Sequence, residues 1–170
     1  MPSRALPCLS TPKRCSFIVK RHRMMRMKFQ NSILIRAPQD VVWKVTEDIA
    51  RWPEWTPTVD TIERLDQGTL DVGSAAYIKQ PGLPRSKWVV TEMDRGRRFT
   101  WECTVLSIRM RATHALSAHD AGTENTLRLE MAGIAAVLLW PFLYFAAKRA
   151  LRQENSGLKA HCEQLTNVQG

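Results

Sequence analysis

Apolar and polar positions alternate over residues 28–37, with Phe29, Ile33 and Ile35 set among polar neighbours, and a period of two predicts a strand. Pro38 stops that strand and suits the first residue of a helix, with Asp40 placed for its first turn. Val41, Val42, Val45, Ile49 and Trp52 then recur at helical spacing and predict an amphipathic helix over 39–51. Residues 51–57 hold two prolines and read as a turn. Six more alternating runs follow, over 58–64, 73–80, 87–93, 97–106, 108–118 and 124–132. Turn residues such as Asp94-Arg95-Gly96 and Asp120-Ala121-Gly122 separate them. Strands every ten residues or so make an antiparallel meander. From Gly133 to about Leu165 the pattern is helical. The predicted class is α+β, one long C-terminal helix covering one face of a curved seven-stranded antiparallel sheet.

Strand parity sorts side chains onto faces. Phe99, Trp101, Cys103 and Val105 share one face, as do Ile108, Met110, Ala112, His114 and Leu116, and then Leu127, Leu129 and Met131. These apolar sets should face the helix, with Tyr77, Trp88 and Val90 as companions. Glu102 falls on the solvent side and Glu92 on the side of Trp88, so the two do not form a carboxylate pair. Trp52 and Trp55 fit a structural corner between the first helix and the sheet.

Charge changes the picture at one end only. The 170 residues carry a formal net charge of +9. Residues 1–39 hold nine Lys/Arg and no acid, and in the rest the sixteen basic residues balance the sixteen acids. The body shows no basic stripe interleaved with aromatics, so no nucleic-acid partner is expected. The sequence thus divides into a basic extension over 1–26 and a domain over 27–166. Three readings of the extension are open: a start codon that truly lies at Met24, Met25 or Met27, a disordered basic tail, or a targeting segment. Four scattered cysteines without Cys-x-x-Cys argue against a disulfide scaffold and fit a reducing, cytoplasmic setting. Neither a metal site nor a cofactor is expected.

The order of elements carries I-x-A-P-x-x-V-W at residues 35–43, W-P-x-W at 52–55, G-T-x-x-T-L at 122–127 and G-L-K-x-x-x-E at 157–163. In these the chain resembles the START-like superfamily called SRPBCC, and within it the polyketide cyclase/dehydrase and lipid-transport family. The resemblance implies a helix-grip (START/Bet v 1-like) fold with a deep apolar cavity between sheet and C-terminal helix. It further implies binding, and possible transport, of a small hydrophobic ligand such as a lipid, quinone or polyketide.

Tyr77, Trp88, Trp101, Cys103, Met110, His114, Leu129 and Trp140 are then the candidate ligand contacts. His114, a titratable group on an apolar face, is the candidate catalytic residue if the protein is a cyclase or dehydratase, with Tyr77 orienting the substrate. The simpler readings of His114 are a core histidine satisfied by a neighbour, and after it a ligand contact. The uncharged run over 132–147, followed by Lys148, Arg149 and Arg152, raises a third reading. It is short of a bilayer span and is interrupted by Pro141. With the basic N-terminus it would suit a membrane-surface lipid or quinone carrier. A homodimer contact and an unusually apolar cavity mouth are the other outlets for so apolar a helix.

Overall fold

Period-two alternation yields seven strands, joined in one antiparallel sheet in the computed structural model, which describes residues 26–168. Residues 1–25, nearly all of the basic extension, lie outside the described residues. The strands are β1 (Arg26–Ile35), β2 (Thr61–Arg64), β3 (Ala75–Lys79), β4 (Ser86–Asp94), β5 (Arg98–Val105), β6 (Ile108–His119) and β7 (Gly122–Ala132). Their order is β1-β7-β6-β5-β4-β3-β2, a meander with the first strand added beside the last. Helix α1 (Gln39–Glu47) and a 3-10 segment (Ile49–Glu54) carry the chain from one edge of the sheet to the other. After β7, α2 (Ile134–Leu138) and α3 (Trp140–Val168) cover the inner face. This is the helix-grip architecture expected.

Three boundaries differ from the predicted ones, each for a local reason. The helix predicted over 39–51 ends at Glu47, because Asp48 leaves helical geometry at φ −81°, ψ 67°. The 3-10 segment that follows contains Pro53 and turns Ile49 and Trp52 into the core. The strand predicted over 58–64 starts only at Thr61. Upstream, Thr56 accepts from the backbone N–H of Thr58 (3.3 Å) and shares a hydrogen bond between hydroxyls (2.9 Å), a local alternative to ladder bonding. The single C-terminal helix is two pieces. Pro141 lacks an N–H, so it suits the first turn of a new helix and not the middle of an old one.

A bulge between Val90 and Glu92 shifts the register of β4 against β5. Glu92 therefore points outward, away from the face of Trp88. There it accepts from Arg111 Nη2 at 2.6 Å, while Glu102 accepts from Arg111 Nη1 at 2.8 Å. The two carboxylates are outer-face partners of one guanidinium.

The seat of α3 is polar. Ala147, Leu151, Asn155, Leu158 and Cys162 form its buried seam. Asn155 Nδ2 donates to Asn31 O (3.0 Å) and Oδ1 (2.7 Å) on β1, and its Oδ1 accepts from Asn125 Nδ2 (2.6 Å) on β7. One turn on, Lys159 Nζ donates to Leu34 O (2.7 Å) and to Glu163 Oε1 (2.6 Å), and the Arg36 N–H donates to Glu163 Oε1 (2.8 Å). Between these lies Gly157, where an added Cβ would stand 2.1 Å from the Trp55 carbonyl oxygen. The helix and the Trp corner touch backbone to backbone.

Alanine inside a helix ordinarily gains up to about 1 kcal/mol over glycine. At Gly157 the obstacle is a backbone oxygen that cannot rotate away, so the clash wins. Gly157→Ala is expected to cost about 2 kcal/mol and to lower the thermal midpoint by about 5 °C, measured by calorimetry. Asn155→Ala strands the Asn31 and Asn125 groups and should cost about 3 kcal/mol.

Candidate functional site

Three rows of side chains cross the inner face. Phe99, His114 and Leu127 are neighbours in register on β5, β6 and β7. Next come Trp101, Ala112, Leu129 and Phe29, the last on β1. The third row is Cys103, Met110, Met131 and Met27, four buried sulfur-bearing side chains. Parity places Trp88, Trp101, Cys103, Met110, His114 and Leu129 on this face, as predicted. Trp140, the first residue of α3, stacks 6.1 Å from Phe29 at the open end of the second row and is 44% exposed.

Tyr77 corrects the prediction. Ala76 and Ile78 are the buried residues of β3, so Tyr77 faces outward between Glu63 and Lys87, under the guanidinium of Arg85 at 4.3 Å. In a five-residue strand one miscounted position exchanges the faces. Tyr77 cannot orient a ligand inside the fold.

Aromatic rings pack against one another across the middle of the inner face. His114 stacks on Phe99 at 4.6 Å and lies 4.9 Å from Trp52, while Trp101 is 5.0 Å from Trp88 and 5.2 Å from Trp52. Ala112 and Leu129, in the middle of the second row, are the loosest part, since both remain only partly buried. Two surface concavities flank α1 instead. One is a groove of about 230 Å³ against α3, bordered by Val45, Trp55, His161 and Leu165. The other is an open depression beside Trp43 and Arg95.

The polar atoms of the interior are unevenly satisfied. Trp52 Nε1 donates to Thr46 O at 3.1 Å. Trp88 Nε1 and Trp101 Nε1 are buried and, among the described residues, meet no acceptor. A buried N–H without a partner costs about 1–3 kcal/mol, so two on adjacent rings are conspicuous.

Sequence reasoning missed Glu154. Its Oε1 lies 3.5 Å from His114 Nδ1, and both side chains are largely buried. The signal was present: counting the apolar seam from Leu151 to Leu158 puts Glu154 on the inner side of α3. Burial pushes the Glu154 carboxyl up to about 7, with a hydrogen bond from Thr58 holding back part of the rise. Burial alone takes His114 down to about 3, so the imidazole is neutral across the physiological range. Cys103 is a neutral thiol, its pKa raised to about 12 by burial, and is no nucleophile.

The two groups have opposite linkage to stability. Unfolded, Glu154 loses its proton near 4.5 and His114 near 6.5. Between these values the folded pair holds its proton on the acid and the unfolded pair on the imidazole, so the proton counts match and the pair adds no slope. Removing one partner exposes the other. Relative to wild type, His114→Gln should lose stability as pH rises from about 3 to 6.5, by about 1.4 kcal/mol per pH unit, because the depressed imidazole no longer offsets Glu154. Relative to wild type, Glu154→Gln should lose a similar amount per unit as pH falls from about 7 to 4.5. Urea midpoints across this range, variant minus wild type, check both signs.

Comparison with known proteins agrees with this architecture. A family model described as polyketide cyclase/dehydrase and lipid transport matches residues 26–163. Curated proteins give no match. Among solved structures, the Zhui aromatase/cyclase from a Streptomyces species is 17% identical with a TM-score of 0.71, over 86% of this chain and 99% of that one. Ara h 8.0201 is 11% identical with a TM-score of 0.65, over 81% and 98%. A norcoclaurine synthase from Thalictrum flavum, solved with a transition-state analogue, is 14% identical with a TM-score of 0.64, over 84% and 98%. At such identities the likeness establishes the fold alone. With the family match spanning its sheet and most of its long helix, the chain belongs to the polyketide cyclase/dehydrase and lipid-transport family of the SRPBCC superfamily.

Proposed function

We propose that the protein binds a small, flat, largely apolar molecule bearing carbonyl or hydroxyl oxygens, held between the sheet and α3. The observation that carries this reading is the pair of unpartnered indole N–H groups on Trp88 and Trp101. An oxygen of the ligand would accept from them and remove their desolvation penalty, while the rings pack on its faces. The sulfur row from Cys103 to Met27 supplies a soft, deformable wall beside it. The partial burial of Ala112 and Leu129 marks where the rings part most easily. Apolar burial at about 25 cal/mol per Å² reaches micromolar affinity without a reactive group.

Glu154 favours a second reading, in which the bound molecule also reacts. A carboxyl with a pKa of about 7 gives and takes protons at neutral pH, as removal of an acidic C–H beside a carbonyl or protonation of a departing hydroxyl requires. His114 is too buried to act as the acid and would orient the carboxyl or the ligand as a neutral imidazole. In a cyclase or dehydratase the proton would therefore move on Glu154.

Native mass spectrometry of the full chain from a heterologous host, with denaturing extraction of what copurifies, tests binding. A ring-bearing lipid, quinone or polyphenol is expected. An empty protein that also rejects apolar dyes would sink the proposal. Trp88→Phe/Trp101→Phe should weaken a recovered ligand by about tenfold, since two hydrogen bonds of about 1 kcal/mol are lost. If chemistry occurs, Glu154→Gln should abolish turnover at near-unchanged affinity, and equal loss of both would leave only a binding role.

A further inference from the structure

We infer that the outward face of α2 and the first turns of α3 is a docking surface for an anionic lipid bilayer. Ile134, Leu138, Phe142 and Phe145 follow one another at spacings of four, four and three residues and are 83%, 76%, 78% and 73% exposed. Hydrogen bonds from Leu139 N to Ala135 O and from Leu143 N to Leu139 O, both 3.0 Å, carry the helical path across the joint between the helices. The four side chains therefore form one ridge about 17 Å long. The outward face of a water-soluble helix is ordinarily polar, and this one is apolar for three turns.

Charge selects the occupant. The same helical stripe continues into Arg149 and Arg152, both exposed, and the sequence has no acid between Glu130 and Glu154. Glu154 itself is turned inward against His114. At the other end of the ridge, Arg26 and Arg109 flank Ala132 in register on β1 and β6, just before α2 begins. Residues 1–25, with six Lys/Arg and no acid, join the domain at this same point. Arg26 also pairs with Glu130 at 3.9 Å, so the free basic set among the described residues is the one that ends the ridge, Arg149 and Arg152. An apolar ridge running into basic side chains, with no acid over 131–153, matches a surface of anionic headgroups over acyl chains. Two copies meeting ridge to ridge would instead bring two basic sets together with nothing to receive them. The ridge would lie in the interface: no helix among the described residues is long and apolar enough to cross a membrane.

Co-sedimentation of the full chain with phosphatidylcholine vesicles, with and without phosphatidylserine, tests the inference. Pelleting with the serine-containing vesicles is expected, partly resistant to high salt. Phe142→Ser/Phe145→Ser should reduce it by at least about tenfold without moving the thermal midpoint, because both rings are exposed. Arg149→Glu/Arg152→Glu should weaken the preference for anionic vesicles several-fold, the basic residues of 1–25 supplying the remainder. If the phenylalanine variant fails to fold, Ile134→Ser/Leu138→Ser gives the same reading. Absence of pelleting would overturn the proposal. So would pelleting that survives loss of the phenylalanines, which would assign the contact to residues 1–25. A concentration-dependent dimer in ultracentrifugation, abolished by the same variant and indifferent to vesicles, would assign the ridge to a second copy.

Discussion

The position of α3 over the sheet depends on one close approach, the backbone of Gly157 against the carbonyl of Trp55. It fixes how near the helix lies to the Trp corner. Asn155, bonded to β1 and β7 one turn earlier, and Lys159 and Glu163, bonded to the end of β1, fix its rotation and its register along the sheet. Polar groups achieve this where apolar ones would not, because a buried amide tolerates little displacement before its partners are orphaned. The N-terminal half of α3 has no such clamp. It meets the sheet through Tyr144 and Trp140 against Phe29, contacts that tolerate sliding and reorientation. The helix is thus anchored at one end and adaptable at the other.

That asymmetry would let a tightly clamped fold admit the proposed ligand between touching rings. The interior is dry enough to lower the imidazole of His114 and raise the carboxyl of Glu154 to about 7, so below neutral pH both groups are uncharged at a contact of 3.5 Å. An ion pair there would have to offset the desolvation of two charges, and the single hydroxyl of Thr58 is small compensation. A neutral, proton-bearing carboxyl within an aromatic lining is suited to oxygen-bearing apolar molecules and hostile to anions. Selection for the proposed molecules would follow from the low polarity of the interior as much as from its shape.

The fold was legible because seven alternating strands and one long helical seam repeat a simple period, and the motifs at Trp52–Trp55 and Gly157–Glu163 proved to be the two halves of one helix seat. Parity recovered six of the eight candidate contacts as inner-face residues, and Trp140, on the helix, lies at the edge of that face. It failed at Tyr77, where a short strand offered too few positions to fix the face, and at Glu92, where the bulge in β4 inverts the count. Glu154 was overlooked for a different reason: an acid in a helix reads as solvated until the helix has a rotational setting. The seam from Leu151 to Leu158 gives that setting coarsely, and the Asn155 clamp that fixes it joins residues more than a hundred positions apart.

The same helix ties the two proposed surfaces together. Trp140 and Tyr144 cover the open end of the row running from Phe29 to Trp101, and Phe142 and Phe145 on the same turns face away from it. Whatever holds the outward pair therefore sets the position of the inward pair. Lipid engaging Phe142 and Phe145 would pull on the unclamped half of α3 and leave the Asn155–Glu163 half in place. Separation between α3 and the sheet would then open at Ala112 and Leu129, the loosest part of the floor, and would face the bilayer. An apolar molecule leaving by that route would pass from rings to acyl chains with little exposure to water, which lowers the barrier that its hydrophobicity would otherwise impose on release.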